Sequence, residues 1–384
     1  MRKKLKYFSQ NTTFLYIGKK VLMDILPSNR ECTVMIVGYY GYGNLGDEAI
    51  LEVLIKDIKE VNSQIQIVVP SIKPENIKER HEVHPIQLIS WNMIRSIIKA
   101  DLIIIGGGGL FSSDSGFFTY FVPLLAILGK ILRKKVSYYA IGIYSTTPPL
   151  LLKLTKFSLK FADVISVRDT ASLKVIRNEL KRKILLVPDP ALRLPFIGRE
   201  IALKILQRNG IDTNKFLIGL SLRSMNEEID DKLAKEVAKT VNWILDALDA
   251  IVIFYTFCPQ SDYTIDDREI AKAIKKMIKH QDRFKILEYY PPSVTKGLIG
   301  VMDYFIGMRL HSMIFAHSMN VPFIGIIYEE KCKSFLRMFA KTQSRVYLSN
   351  IKQLQNIVKS DVLRIMREGT LNKASKFSRL KVRE

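Results

Sequence analysis

Two features of this 384-residue chain point to an α/β fold of two Rossmann-like domains facing a cleft, each a parallel sheet covered by helices. Short, continuously apolar runs recur between amphipathic stretches from Thr33 to Ile327. Runs of that kind describe strands buried on both faces, which requires helices above and below a parallel sheet. The series also restarts after a polar stretch near Arg193 to Glu200, so the strands fall into two sets.

In the first set the runs are Thr33 to Val37, Ile65 to Val69, Leu102 to Ile105, Val136 to Ile141, Val164 to Val167 and Ile184 to Val187. The second comprises Phe216 to Leu222, Ala250 to Tyr255, Lys285 to Glu288, Tyr304 to Ile306 and Pro322 to Ile327. Between them lie helical patterns, notably Asp230 to Leu248 and Asp266 to Lys279. The expected domains are therefore 31–195 and 196–348, with a basic segment over 1–30 and closing helices with a basic tail over 349–384. The stretch Phe117 to Gly129 is broken by Pro123 and falls short of the ~18 to 20 residues a spanning helix needs, so a buried helix is expected there.

The 59 Lys and Arg against 37 Asp and Glu leave a net charge of +22, which favours nucleic acid, an anionic membrane face or phosphorylated substrates. The basic residues are scattered, clustering only at Arg2 to Lys6 and Lys373 to Arg383, and no aromatic-interleaved basic stripe exists, so no nucleic-acid partner is expected. Cys32, Cys258 and Cys332 are far apart and show no metal-type spacing, which suits a reduced, cytoplasmic compartment without disulfides. The first 30 residues lack the apolar core and cleavage site of a secretory signal.

Residues 38–51 carry the first chemical signal. Gly41, Gly43 and Gly46 satisfy the G-x-G-x-x-G spacing of a dinucleotide site between the first strand and its helix. Asp47 and Glu48, however, place two carboxylates where a pyrophosphate would sit, and the second strand ends in Val69, Pro70 and Ser71 with no acid for a ribose. A close-approach backbone with carboxylates at a helix N-terminus suits hydrogen bonds from sugar hydroxyls instead. Asn44 or Asp47 taken alone reads equally as a helix cap.

The string Gly38-Tyr39-Tyr40-Gly41 leading into Gly46-Asp47-Glu48-Ala49 resembles the N-terminal signature of the polysaccharide pyruvyl transferases. Further segments resemble that family in the same order: Gly106 to Leu110, Tyr139 to Ile143, Ser166 to Asp169, Pro188 to Ala191, Ile218 to Arg223 and Gly307 to His311. The likeness runs from about residue 33 to 335. It implies a GT-B-like fold and transfer of the enolpyruvyl group of phosphoenolpyruvate onto a sugar hydroxyl pair, closing a cyclic ketal and releasing phosphate. The donor would be a substrate, with no cofactor. The acceptor would be a sugar or lipid-linked glycan precursor of the cell envelope. A nucleotide-sugar-dependent glycosyltransferase of the same architecture is the alternative.

Arg309 and His311 follow the strand Tyr304 to Ile306 at a helix start, where backbone N–H groups favour an anion. Arg309 is expected to grip a phosphate or carboxylate through its fork, with Arg223, Leu310 and Lys331 completing the donor side. His311 is the expected acid that protonates the enol methylene. Asp47 is the second catalytic candidate, and Tyr40, Gly41, Asn44, Glu48, Gly108 and Asp114 are acceptor contacts. Arg168, Asp169 and Asp189 read as cleft or turn residues, and no cluster has metal-ligand spacing. The Lys-rich beginning suggests peripheral docking at the inner face of the cell membrane.

Overall fold

The structure, a computed structural model, describes residues 17–26, 31–111, 116, 118–259 and 266–367. The chain divides into two compact units, Met1–Leu194 and Pro195–Glu384. In the first, the strands are β1 (Thr33–Val37), β2 (Gln66–Ser71), β3 (His84–Gln87), β4 (Leu102–Gly106), β5 (Lys135–Ile141), β6 (Val164–Val167) and β7 (Leu185–Leu186). They form one parallel sheet in the order β3-β2-β1-β4-β5-β6-β7.

The apolar runs account for this sheet directly. Val34, Met35, Ile36 and Val37 are all fully buried, so both faces of β1 are covered. Each such side chain contributes about 1.5–3 kcal/mol of burial. The crossovers place the helices Trp91–Lys99, Phe118–Ile131, Pro149–Leu159 and Thr170–Arg177 on one face. Their inner residues Met93, Ile97, Val122, Leu125, Leu151 and Ile176 share a single core with the strands.

Two expectations change in this unit. The helix Phe118–Ile131 is not buried all round: Phe121, Leu124, Leu128 and Ile131 face solvent, because the helix packs with only one side on the sheet. The basic N-terminal segment is structured over 17–25 as a helix whose Val21 and Leu22 are buried, with Lys19 paired to Glu60. Its described apolar side is thus spent on the first unit. The cluster Arg2 to Lys6 lies outside the described residues.

In the second unit β8 (Phe216–Ser221), β9 (Ala250–Phe254), β10 (Phe284–Ile286), β11 (Tyr304–Gly307), β12 (Phe323–Ile327) and β13 (Ser344–Tyr347) form a parallel sheet in the order β10-β9-β8-β11-β12-β13. The closing helix Leu354–Arg367 lays Leu354, Val358, Val362 and Ile365 into the core built on Val237 and Val241 of the helix Glu227–Ala247. Over the described residues 349–367 this segment is part of the second unit's core, and the basic tail expected beyond it lies outside the described residues. In each sheet the chain reverses its direction of winding once, between β1 and β4 and between β8 and β11. The loops leaving those strand ends are where a doubly wound fold binds ligands.

Candidate functional site

At the first switch point, β1 runs into the glycine loop and β4 into Gly106–Leu110. Asn44 caps the helix Leu45–Val61, its side-chain oxygen accepting from Gly46 N–H at 3.1 Å, which commits that oxygen to the backbone. Glu48 folds back onto the loop, and its Oε1 accepts from Gly41 N–H at 2.7 Å. Gly41 needs its φ of +82° to turn there, and a Cβ would stand 2.3 Å from Ser71 Oγ. Gly41 N–H and Glu48 Oε1, on two residues expected as acceptor contacts, are thereby occupied with each other.

Glu48 is 2% exposed, and burial pushes its carboxyl up to about 7, against the pull of the Gly41 and Gly43 N–H groups. Asp47 is also buried, and lies against Gly108: a Cβ on that residue, whose φ is +78°, would stand 2.3 Å from Asp47 Oδ1. Gly108 therefore makes room for the carboxylate.

Tyr40 corrects an expectation. Its ring is 1% exposed and its hydroxyl donates to Gly106 O at 2.6 Å, so it bolts the β1 loop to the end of β4 and offers no surface to a sugar. The neighbouring half-buried Tyr39 stacks on Tyr42 at 3.8 Å, with Phe118 next to both. Asp114 lies outside the described residues. Arg168, Asp169 and Asp189 form a buried network: Arg168 Nη1 donates to Asp189 at 3.1 Å, while Nε and Nη2 donate to Tyr144 OH, which donates to Asp169 at 2.6 Å. Asp169 and Asp189 also cap the turns that follow, accepting from Ser172 N–H and Ala191 N–H. These motif residues brace the ends of β5, β6 and β7.

At the second switch point, Arg223 leaves β8, Arg309 leaves β11, and Tyr328 to Lys331 leave β12. The sheet order β8-β11-β12 sets these side chains along one edge. Arg309 donates through Nε (3.2 Å) and Nη2 (2.5 Å) to the two oxygens of Asp267. Asp267 is fully buried and opens the helix Asp267–Met277, while its Oδ2 also accepts from Cys258 N–H after β9. The carboxylate holds Arg309 charged despite the guanidinium's burial. For Asp267 itself, burial outweighs the guanidinium and raises its pKa. The aspartate was not singled out from sequence, where Asp266-Asp267 reads only as a helix start.

Arg223 and Lys331 share one acid. Glu329 Oε1 accepts from Arg223 Nη1 at 2.6 Å and Glu329 Oε2 meets Lys331 Nζ at 2.7 Å, and both cations lie near the Tyr328 ring. The sequence pointed to Lys331, but the acid that bridges it to Arg223 was not singled out. Leu310 is buried and His311 half-buried in the first turn of the helix Leu310–Ser318. His317, whose burial lowers its pKa, sits edge-on to Phe335 as a packed residue. The three cysteines are buried thiols. Among the described residues no group of three or more His, Cys, Asp or Glu is placed to hold a metal ion.

Two doubly wound parallel sheets in one chain constitute the GT-B-like architecture, and solved structures share it. Anabaena HepE in complex with UDP-glucose superposes with a TM-score of 0.61 at 15% identity, over 91% of this chain and 96% of that one. S. aureus MnaA with UDP gives 0.61 at 12%, over 91% and 92%. A glycosyltransferase from Rickettsia africae gives 0.58 at 13%, over 91% of each chain. Identities this low establish the fold alone. The sequence model of the polysaccharide pyruvyl transferases matches residues 44–330, and the chain belongs to that family. It is a transferase of polysaccharide biosynthesis. No curated protein matches it.

Proposed function

We propose that the protein transfers the enolpyruvyl group of phosphoenolpyruvate to two hydroxyls of one sugar in a cell-surface glycan or its precursor, closing a cyclic pyruvate ketal and releasing phosphate. The observation that carries this reading is the row of cations at the ends of β8, β11 and β12. Arg223, Arg309 and Lys331 are all held by acids, so none must search for a geometry when a dianionic phosphate and a carboxylate arrive. Arg309 spends one edge of its fork on Asp267 and keeps Nη1 for the ligand.

In this reading His311 delivers a proton to the methylene carbon, which turns C2 of the donor into an oxocarbenium-like centre. The first sugar oxygen bonds to C2. Its proton passes to a base, the role proposed for Asp47. The C2–O bond to phosphate then breaks, phosphate leaves with the electron pair, and the second sugar hydroxyl adds to C2 and gives its proton to the departing phosphate, closing the ketal. Donor and acceptor supply every atom of the product, so no separate cofactor enters. A positioned acid of this kind is worth ~10² to 10⁴-fold in rate.

Incubation with phosphoenolpyruvate and a panel of glycosides, following phosphate release and pyruvylated product, tests the proposal. Phosphoenolpyruvate should also raise the melting temperature of the wild type but not of Arg309→Ala. Protection by UDP-glucose, with none by phosphoenolpyruvate, would support a nucleotide-sugar transferase and sink the pyruvyl reading.

A further inference from the structure

We infer that the helical face of the first unit opposite the helix Leu45–Val61 is a docking surface for an anionic lipid bilayer. Of the sixteen large hydrophobic side chains that are exposed among the described residues, eleven lie on or beside three neighbouring helices of this face, so the exposure is concentrated in one layer. Single exposed hydrophobics are ordinary on a protein surface, whereas a contiguous patch marks an interaction site.

The helix Phe118–Ile131 supplies the centre. Phe121, Leu124, Leu128 and Ile131 recur with helical spacing on its outer side, while Val122, Leu125 and Ala126 fill the core. To one side, the helix Trp91–Lys99 turns out Trp91, Ile94 and Ile98, with Trp91 80% exposed. Lys134, just past the central helix, donates to Ile98 O and ties the two together. To the other side, the helix Pro149–Leu159 packs on the central one and exposes Leu150 and Phe157, the latter in edge contact with the exposed Phe161.

Charge selects the occupant. None of the three helices contains an aspartate or glutamate. Their exposed cations are Arg95, Lys99 and Lys153, with Lys160 just beyond, and among the described residues only Lys130 and Lys156 of these helices are paired with acids, Asp163 and Glu179. A second copy of this face would set like charges against like. Anionic headgroups complement the cations while the aliphatic and aromatic side chains enter the acyl boundary, which is the arrangement of an interfacial contact. No helix among the described residues is long and apolar enough to cross a membrane, so the contact would be peripheral. A transferase held there would meet acceptors anchored in lipid without releasing them into water.

The two tryptophans, Trp91 and the partly buried Trp243, provide the probe. In a Trp243→Phe background, vesicles of phosphatidylcholine with about one third phosphatidylglycerol should shift Trp91 emission to the blue, and brominated lipid should quench it. The full chain should sediment with those vesicles and not with pure phosphatidylcholine. Leu124→Glu/Leu128→Glu changes only exposed positions and should keep the melting temperature while weakening vesicle binding roughly tenfold or more. Lys275→Glu/Lys276→Glu, on the second unit, should bind as the wild type does. Unchanged Trp91 emission, full binding by the Leu124/Leu128 variant, or equal loss in the Lys275/Lys276 variant would overturn the assignment. So would a wild-type dimer in sedimentation velocity that the Leu124/Leu128 variant abolishes, since a second copy would then be the occupant.

Discussion

Asp267 and Arg309 meet in a two-point ion pair that joins the start of the helix Asp267–Met277, which follows β9, to the end of β11, passing across the mouth of β8. An arginine fork fixed on one edge by a fully buried carboxylate loses little freedom when its other edge takes a ligand. The pair therefore sets the geometry of the proposed donor site as well as the packing beneath it.

Asp267→Asn keeps the acceptor for Cys258 N–H and the volume, but leaves the guanidinium without its counter-charge. The expected loss of unfolding free energy is roughly 3 kcal/mol, the size seen when one partner of a buried pair is removed. Because Arg309 then has no fixed orientation, the KM for phosphoenolpyruvate should rise about tenfold, equivalent to about 1.4 kcal/mol. Urea unfolding and steady-state kinetics check the two effects. An unchanged KM in a destabilised protein would confine Asp267 to packing.

His311→Gln should remove transfer while leaving donor binding in place, since Arg223, Arg309 and Lys331 are untouched. Calorimetric titration of phosphoenolpyruvate together with phosphate release reads both quantities. Retained turnover would exclude His311 as the acid.

Glu48 links stability to pH in the direction opposite to an ordinary ion-paired carboxylate. Its folded pKa is about 7 against 4.5 for the unfolded chain, so the folded state holds the proton longer. Stability from this group is present below pH ~4.5 and is lost as pH rises towards ~7, by about 3 kcal/mol in all. The difference in unfolding free energy between wild type and Glu48→Gln should therefore move by that amount in favour of the variant across this window. A flat difference would show that the carboxyl titrates normally.

Gly108→Ala puts a methyl group against Asp47 Oδ1 at a backbone conformation that L-residues disfavour by roughly 1–2 kcal/mol. The carboxylate must move. If Asp47 serves the acceptor, kcat should fall at least tenfold, or about 1.4 kcal/mol, with a modest drop in melting temperature. Wild-type kcat in a folded Gly108→Ala protein would remove Asp47 from the reaction.

Most of the sheet was legible because a strand buried on both faces must be apolar at every position, as β1 and β4 are. The two strands missed, β3 with His84-Pro85-Ile86-Gln87 and β13 with Ser344-Arg345-Val346-Tyr347, lie at sheet edges, where half the surface meets water and the apolar run breaks down. For the candidate site, the strings around Asp47 and Arg309 stood out because glycine-rich strand ends followed by charged residues seldom arise from packing alone. Their partners did not, since nothing in the local pattern of Asp267 or Glu329 differs from an ordinary helix start.

Residue order alone settled the two strand series, the α/β class and the family, because hydrophobic period and contiguous motifs are local properties of the chain. Tertiary structure decided which polar groups meet: Arg309 with Asp267, Arg223 with Lys331 through Glu329, and the Tyr40 hydroxyl with Gly106 O. Those pairings join residues 42 to 106 positions apart in all but Lys331–Glu329, and a crossover sheet places them by strand order, which no local pattern encodes.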